Sequence, residues 1–129
     1  MPLSSTTSAI HGIVFDKDGT LIDFEKTWIP GLLGSAKALA DTVGRGEMAG
    51  PMLDAVGRDP VNGRIIPGSQ LASGTAGVVA THWREIVPEL PNVSEITVWL
   101  DEYWTRSALI NLHPVAPLRP LLQGLRDKN

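Results

Sequence analysis

The sequence IVFDKDGTLIDF, residues 13–24, changes abruptly from apolar to acidic. Its apolar part begins earlier, and residues 10–15 form a nearly continuous apolar run. Such a run is typical of a strand that is buried on both faces of a parallel α/β sheet. We therefore predict a strand over residues 10–15, with the polar segment 16–20 at its carboxyl end.

Two carboxylates follow this predicted strand. Asp16 and Asp18 lie two positions apart, and Gly19 allows a tight turn after them. Ligands of open α/β sheets bind at the carboxyl ends of strands, and the mutual repulsion of two carboxylates favours a bound cation or a shared proton. The pattern is also compatible with a simple turn that ends the strand. An EF-hand loop counted from Asp16 fails, because Leu21 and Thr27 occupy its glycine and glutamate positions.

Helical patterns separated by Gly and Pro occupy most of the remaining chain. We predict that Thr27 caps a helix that ends at Gly44 and Gly46. A shorter helix is predicted from Met48 to Val56.

A loop over residues 57–74 precedes two amphipathic helices. Thr75 is predicted to cap the first, which Pro88 closes, and Ser94 is predicted to cap the second, which the HPVAP segment at 113–117 ends. A last amphipathic helix is predicted from the spacing of Leu118, Leu121, Leu122 and Leu125.

Composition excludes several classes of protein. With 43% apolar residues, the chain of 129 residues is not a disordered tail. No apolar run reaches the roughly 20 residues of a membrane helix, and the N-terminus MPLSSTTSAI lacks the features of a signal peptide. The absence of Cys excludes disulfide scaffolds, and a net charge of −3 without a segregated basic face argues against nucleic acid. We therefore expect a cytoplasmic globular protein that binds neither nucleic acid nor membranes.

Residues 13–24 closely resemble the first motif of the haloacid dehalogenase-like (HAD) phosphohydrolases. The order of strand, motif and helical segment is similar to that of members with an inserted α-helical cap, the phosphoglycolate-phosphatase-like group. The resemblance implies an α/β, Rossmann-type core in the full family, with this chain mostly α-helical cap plus the first core strand. The implied domains are the start of the core over residues 1–24, the helical cap over 25–113, and a truncated helix that re-enters the core over 114–129.

The resemblance also implies roles for both carboxylates. Asp16 would be the nucleophile, attacking phosphorus to form an aspartyl-phosphate. Asp18 would be the general acid/base, protonating the leaving oxygen and then activating water. Mg²⁺ would be bound by the carboxylate of Asp16 and the backbone carbonyl of Asp18, because a carboxylate that approaches a phosphate dianion is repelled unless a cation offsets the charge.

Three parts of the family pattern have no counterpart in the sequence. They are a Ser or Thr after a second core strand, a later Lys or Arg, and a later acidic pair; Thr42, Thr75 and Lys128 do not match them. The expected function is a Mg²⁺-dependent HAD-type phosphatase acting on a small phosphorylated metabolite, incomplete and inactive as this chain. The alternative is a non-catalytic helical module that binds a partner or forms a homodimer and retains an idle DxDGT motif.

Overall fold

The computed structural model describes residues 9–128, and most of them are helical. Within that range lie six α-helices: α1 Phe24–Thr42, α2 Ala49–Val56, α3 Gln70–Ser73, α4 Ala76–Ile86, α5 Val93–Ile110 and α6 Leu118–Arg126. A 3-10 turn, Gly46–Met48, leads into α2. The predicted predominance of helix is therefore confirmed, whereas no strand forms anywhere in residues 9–128.

Four of these helices pack into one helical body. α5 contacts both α1 and α4, and α2 contacts the same two helices. Trp83 of α4 is fully buried, and its indole Nε1–H donates to the Met52 carbonyl of α2 at 2.8 Å. The other large side chains of this core that are almost fully buried are Met52, Val56, Val79, Val87, Ile96 and Leu100. Burial of these apolar side chains is the main stabilising contribution to the helical body.

Close approach of α1 and α5 depends on a glycine. A Cβ atom at Gly31 would lie 2.8 Å from the Ser107 hydroxyl oxygen and 2.9 Å from its Cβ. Near this contact, the Trp104 indole N–H donates to the Ser35 hydroxyl at 2.9 Å. The two helices are thus joined by a tight contact between Gly31 and the Ser107 side chain and by a hydrogen bond to a buried hydroxyl.

Two of the predicted helix starts are wrong by a few residues. α1 is capped by Asp23, whose Oδ1 accepts from the Lys26 N–H at 2.9 Å, so Thr27 lies inside the first turn. α5 is capped by Asn92, which accepts from the Glu95 N–H at 3.0 Å, rather than by Ser94. Asp and Asn are at least as good N-caps as Thr and Ser, and here each precedes the predicted residue. The predicted cap of α4, Thr75, is confirmed.

The predicted strand over residues 10–15 is wrong for this chain. These residues form no β-ladder, and the exposed fractions of Val14 and Ile10 are 98% and 75%. A strand needs a partner that accepts and donates its main-chain hydrogen bonds, and residues 9–128 contain no second strand. An apolar run indicates a segment suited to burial, but it does not supply the neighbour that buries it.

The predicted last helix is confirmed as α6, but its apolar face is exposed. Leu121 and Leu122 are each 44% exposed, and none of the residues of α6 is buried. Together with residues 10–15, α6 therefore presents apolar side chains outside the core. None of the helices in residues 9–128 is both long and apolar enough to cross a membrane.

Candidate active site

The DKDGT segment forms a tight loop immediately before α1. The Lys17 carbonyl accepts from the N–H groups of Leu21 at 2.9 Å and Ile22 at 3.1 Å, while the Ile22 carbonyl accepts from Gly19 at 2.9 Å. Gly19 has a φ of 78°, a left-handed conformation that glycine adopts without steric strain. The tight turn that the sequence predicts at Gly19 is therefore confirmed, and it is closed by its own main-chain hydrogen bonds.

The end of this loop is tied to the segment that leaves the helical body. The Asp23 N–H donates to the His113 carbonyl at 2.7 Å, and the Val115 N–H donates to the Leu21 carbonyl at 3.0 Å. The His113 N–H donates in turn to the hydroxyl of Thr27, which is completely buried. We call these contacts the junction. They place the incoming and outgoing segments of the helical body side by side, next to the loop that carries Asp16 and Asp18.

Asp18 is held by two donors on the same oxygen. The Lys17 ammonium and the Trp28 indole Nε1–H each donate to Asp18 Oδ1 at 2.8 Å. The Lys17 Nζ also lies 5.0 Å from the centroid of the Trp28 ring, within the range of a cation–π contact. The Asp18 side chain is nevertheless 43% exposed, so the ion pair with Lys17 contributes at most about 1 kcal/mol to stability.

These contacts favour the ionised form of Asp18. Partial burial raises the pKa of its carboxyl, but the hydrogen bonds from Lys17 and Trp28 and the positive charge of Lys17 outweigh burial and hold the pKa below its usual value. An ionised carboxylate is suited to accept a proton from water, whereas protonating a leaving oxygen needs the neutral acid. The Asp18 carboxylate is therefore suited, with these partners, to accept a proton rather than to give one.

Asp16 lies on the same loop with a different partner. Its carboxylate is exposed, and Oδ2 accepts from the Thr20 hydroxyl at a long 3.4 Å. The structure thus places both predicted site residues on one loop, but each carboxylate has its own donors. Exposure leaves Asp16 accessible to a ligand from solvent.

The donor set of the loop suits Mg²⁺ but is small. The Asp16 carboxylate and the Asp18 carbonyl are hard oxygen donors, which Mg²⁺ prefers, and Mg²⁺ is often held by one or two protein groups together with water and phosphate oxygens. Across residues 9–128, no group of three His, Asp or Glu side chains is arranged to hold a metal ion. These two groups could therefore form part of a Mg²⁺ coordination sphere, with other oxygen ligands completing it.

Reasoning from sequence missed the two partners of Asp18. The motif alone assigns no contact to Lys17, and a helix capped by Thr27 would have Trp28 as its first residue. Because α1 begins at Phe24, Trp28 lies in the second turn, where its ring reaches back to the loop. The signal in the sequence is Asp23, a favourable N-cap residue. A helix that starts after Asp23 has Trp28 in its second turn.

Comparisons of the chain with protein-family models, curated proteins and solved structures gave no match. The resemblance to HAD phosphohydrolases therefore depends on the sequence of residues 13–24.

The junction should contribute measurably to stability. We expect Thr27→Val to lower the free energy of unfolding by about 1 kcal/mol, because the His113 N–H loses its acceptor while the shape of the side chain is kept. Urea unfolding followed by circular dichroism measures this loss.

The matched control is Thr97→Val on α5. The Thr97 hydroxyl donates to the Val93 carbonyl of its own helix, so its loss leaves no main-chain donor unpaired. Equal losses of stability in the two variants would contradict a specific role of Thr27 at the junction.

Proposed function

We propose that this chain carries the nucleophile and the general acid/base of a Mg²⁺-dependent phosphatase of the HAD type. The observation that supports the proposal is the FDKDGT loop, which presents two carboxylates beside the junction of a helical body. A helical cap inserted into another domain would need its two connecting segments to lie together in this way, and the segments at Asp23 and His113 do so.

The chemistry proceeds in two steps on this loop. The Asp16 carboxylate attacks the phosphorus of a small phosphorylated metabolite, the bond from phosphorus to the ester oxygen breaks, and the leaving oxygen takes a proton from Asp18. Asp18 enters this step in its neutral form, because the negative charge of the bound phosphate opposes its ionisation. Asp18 then removes a proton from water, the water oxygen attacks the aspartyl-phosphate, and Asp16 is regenerated as phosphate leaves. The Asp16 carboxylate and the Asp18 carbonyl would hold a Mg²⁺ ion, which would supply positive charge that offsets the repulsion between Asp16 and the phosphate.

The proposal assigns only part of a phosphatase site to this chain. Within residues 9–128, the only hydrogen bond to Asp16 comes from Thr20 of the same loop, and no Lys forms an ion pair with it. The phosphate-binding Ser or Thr, the Lys and the second acidic pair of the family would have to come from other polypeptide. Taken alone, the chain is proposed to bind Mg²⁺ at the loop without turning over substrate.

Binding of Mg²⁺ should be detectable at the loop. We expect a Mg²⁺ titration to shift the backbone amide NMR signals of residues 16–20 in a saturable manner, while signals of α4 stay unchanged. The physical reason is that the Asp16 carboxylate and the Asp18 carbonyl are oxygen donors on one tight loop. Asp16→Asn should abolish the shifts, because the amide carries no charge.

Asp101→Asn is the matched control, since it removes one exposed carboxylate from α5, far along the sequence from the loop. It should leave the titration unchanged. Absence of saturable shifts at residues 16–20, or identical shifts in Asp16→Asn, would contradict the proposal.

Hydrolysis of p-nitrophenyl phosphate tests turnover directly. A rate for the chain above that of Asp16→Asn would support the chemistry but contradict the proposal that the chain alone lacks part of the site.

A second function is favoured by a different observation. An open cleft of about 1040 Å³ lies between residues 9–15 and α6, and it is lined by apolar side chains that include Ile10, Ile13, Leu122 and Leu125. Exposed apolar patches mark interaction surfaces. The alternative is therefore a non-catalytic helical module in which this face is covered by a second copy of the chain.

Sedimentation tests the alternative. If this face forms a homodimer, the chain should sediment as a dimer and Leu122→Glu as a monomer, because a charge would be buried in the interface. Leu109→Glu on α5 is the matched control, since it makes the same substitution at a side chain that is 71% exposed and lies outside the apolar cleft. A wild-type chain that sediments as a monomer at every concentration would contradict the dimerisation module.

A further inference from the structure

We propose that Trp28 is a positioning residue for Asp18, fixing the orientation of its carboxylate so that proton transfer takes place at Oδ2. The inference rests on the proposed function in one respect, namely that Asp18 serves as the general acid/base. It adds a residue outside the DxDGT motif and names the oxygen that reacts.

The Trp28 indole joins the loop to the helical body. Its Nε1–H donates to Asp18 Oδ1 at 2.8 Å, while its ring is half-buried and packs against the hydrophobic core. A ring held by packing on one side has little freedom to move, so its N–H is a fixed donor. The direction of the Asp18 carboxylate is thereby set by the position of α1.

Lys17 completes the arrangement on the same oxygen. Its ammonium donates to Asp18 Oδ1 at 2.8 Å and lies 5.0 Å from the Trp28 ring centroid, so the indole ring also guides the Lys17 side chain. Within residues 9–128, no donor contacts the second oxygen, Oδ2. With Oδ1 occupied by two donors, Oδ2 is the oxygen left to give or accept a proton.

Lys17 alone does not provide this orientation. Its side chain is 58% exposed, and exposed ion pairs between flexible side chains are weak and adopt several geometries. The indole of Trp28 has only two side-chain torsions and is held by the core, so it is the group that restricts Asp18. Replacement of the indole N–H should therefore release Asp18 even with Lys17 present.

The first test uses Trp28→Phe in the full chain. Phe keeps an aromatic ring in the same packing position but removes the N–H donor. We expect the α–β proton couplings of Asp18 to change from those of one dominant χ1 rotamer to an average over several rotamers, as measured by NMR. Trp104→Phe is the matched control, because it removes an indole N–H that donates to Ser35 rather than to the loop.

An unchanged Asp18 rotamer in Trp28→Phe would overturn the inference, and so would equal averaging in Trp104→Phe. A merely structural role of Trp28 would alter stability but would not release Asp18 selectively.

The second test follows the NMR signal of the Trp28 indole N–H and does not depend on a Trp28 variant. Asp18→Ala should shift the Trp28 Nε1–H NMR signal upfield, since the acceptor is lost, whereas Asp18→Asn keeps an oxygen acceptor and should shift it less. An indole signal that does not move in Asp18→Ala would overturn the inference.

Both tests are made without Mg²⁺ or a phosphate ester. A positive result here combined with a failed Mg²⁺ titration would leave the Trp28–Asp18 contact in place and reject the phosphatase chemistry. The reverse combination would retain the chemistry and reject Trp28 as its positioning residue.

Discussion

Main-chain hydrogen bonds between residues 21–23 and residues 113–115 hold the two ends of the helical body together, and the rest of the site depends on them. The Asp23 N–H donates to the His113 carbonyl at 2.7 Å, and the buried hydroxyl of Thr27 accepts from the N–H of the same residue. These bonds fix the position of Asp23, the last residue before α1. The preceding loop therefore has a defined position relative to the helices, although Asp16 and Asp18 are themselves exposed.

Charge then determines what the loop can do. Two carboxylates close together in sequence repel each other unless cations or hydrogen-bond donors offset their negative charge. Asp16 and Asp18 differ in the donors that do so. Asp18 is stabilised by Lys17 and Trp28, whereas Asp16 has only the long contact with Thr20. An exposed carboxylate with a weak partner is available to a metal ion or to phosphorus, and a carboxylate held by two donors is suited to transfer protons in a fixed direction.

Much of the helical body could be predicted from sequence, because amphipathic spacing and capping residues act locally. The start of α4 at Thr75 and the amphipathic pattern of α6 are examples. The prediction of a strand over residues 10–15 was wrong because strand formation depends on a partner that local sequence does not show.

The predicted starts of α1 and α5 were displaced because Asp23 and Asn92 compete as caps with Thr27 and Ser94. The Trp28–Asp18 contact depends on that helix register, so sequence reasoning could place both carboxylates but not their partners.

We propose that the DKDGT loop is a divalent-cation site for phosphoryl transfer. Paramagnetic relaxation by Mn²⁺, used in place of Mg²⁺, tests this location most directly, since line broadening falls steeply with distance from the ion. With the ion at this loop, we expect the strongest broadening at the amide signals of residues 16–19, with little at α4, and loss of this pattern in Asp16→Asn. Broadening centred on other acidic residues, such as Glu25 and Asp59, or spread evenly over the surface would contradict it.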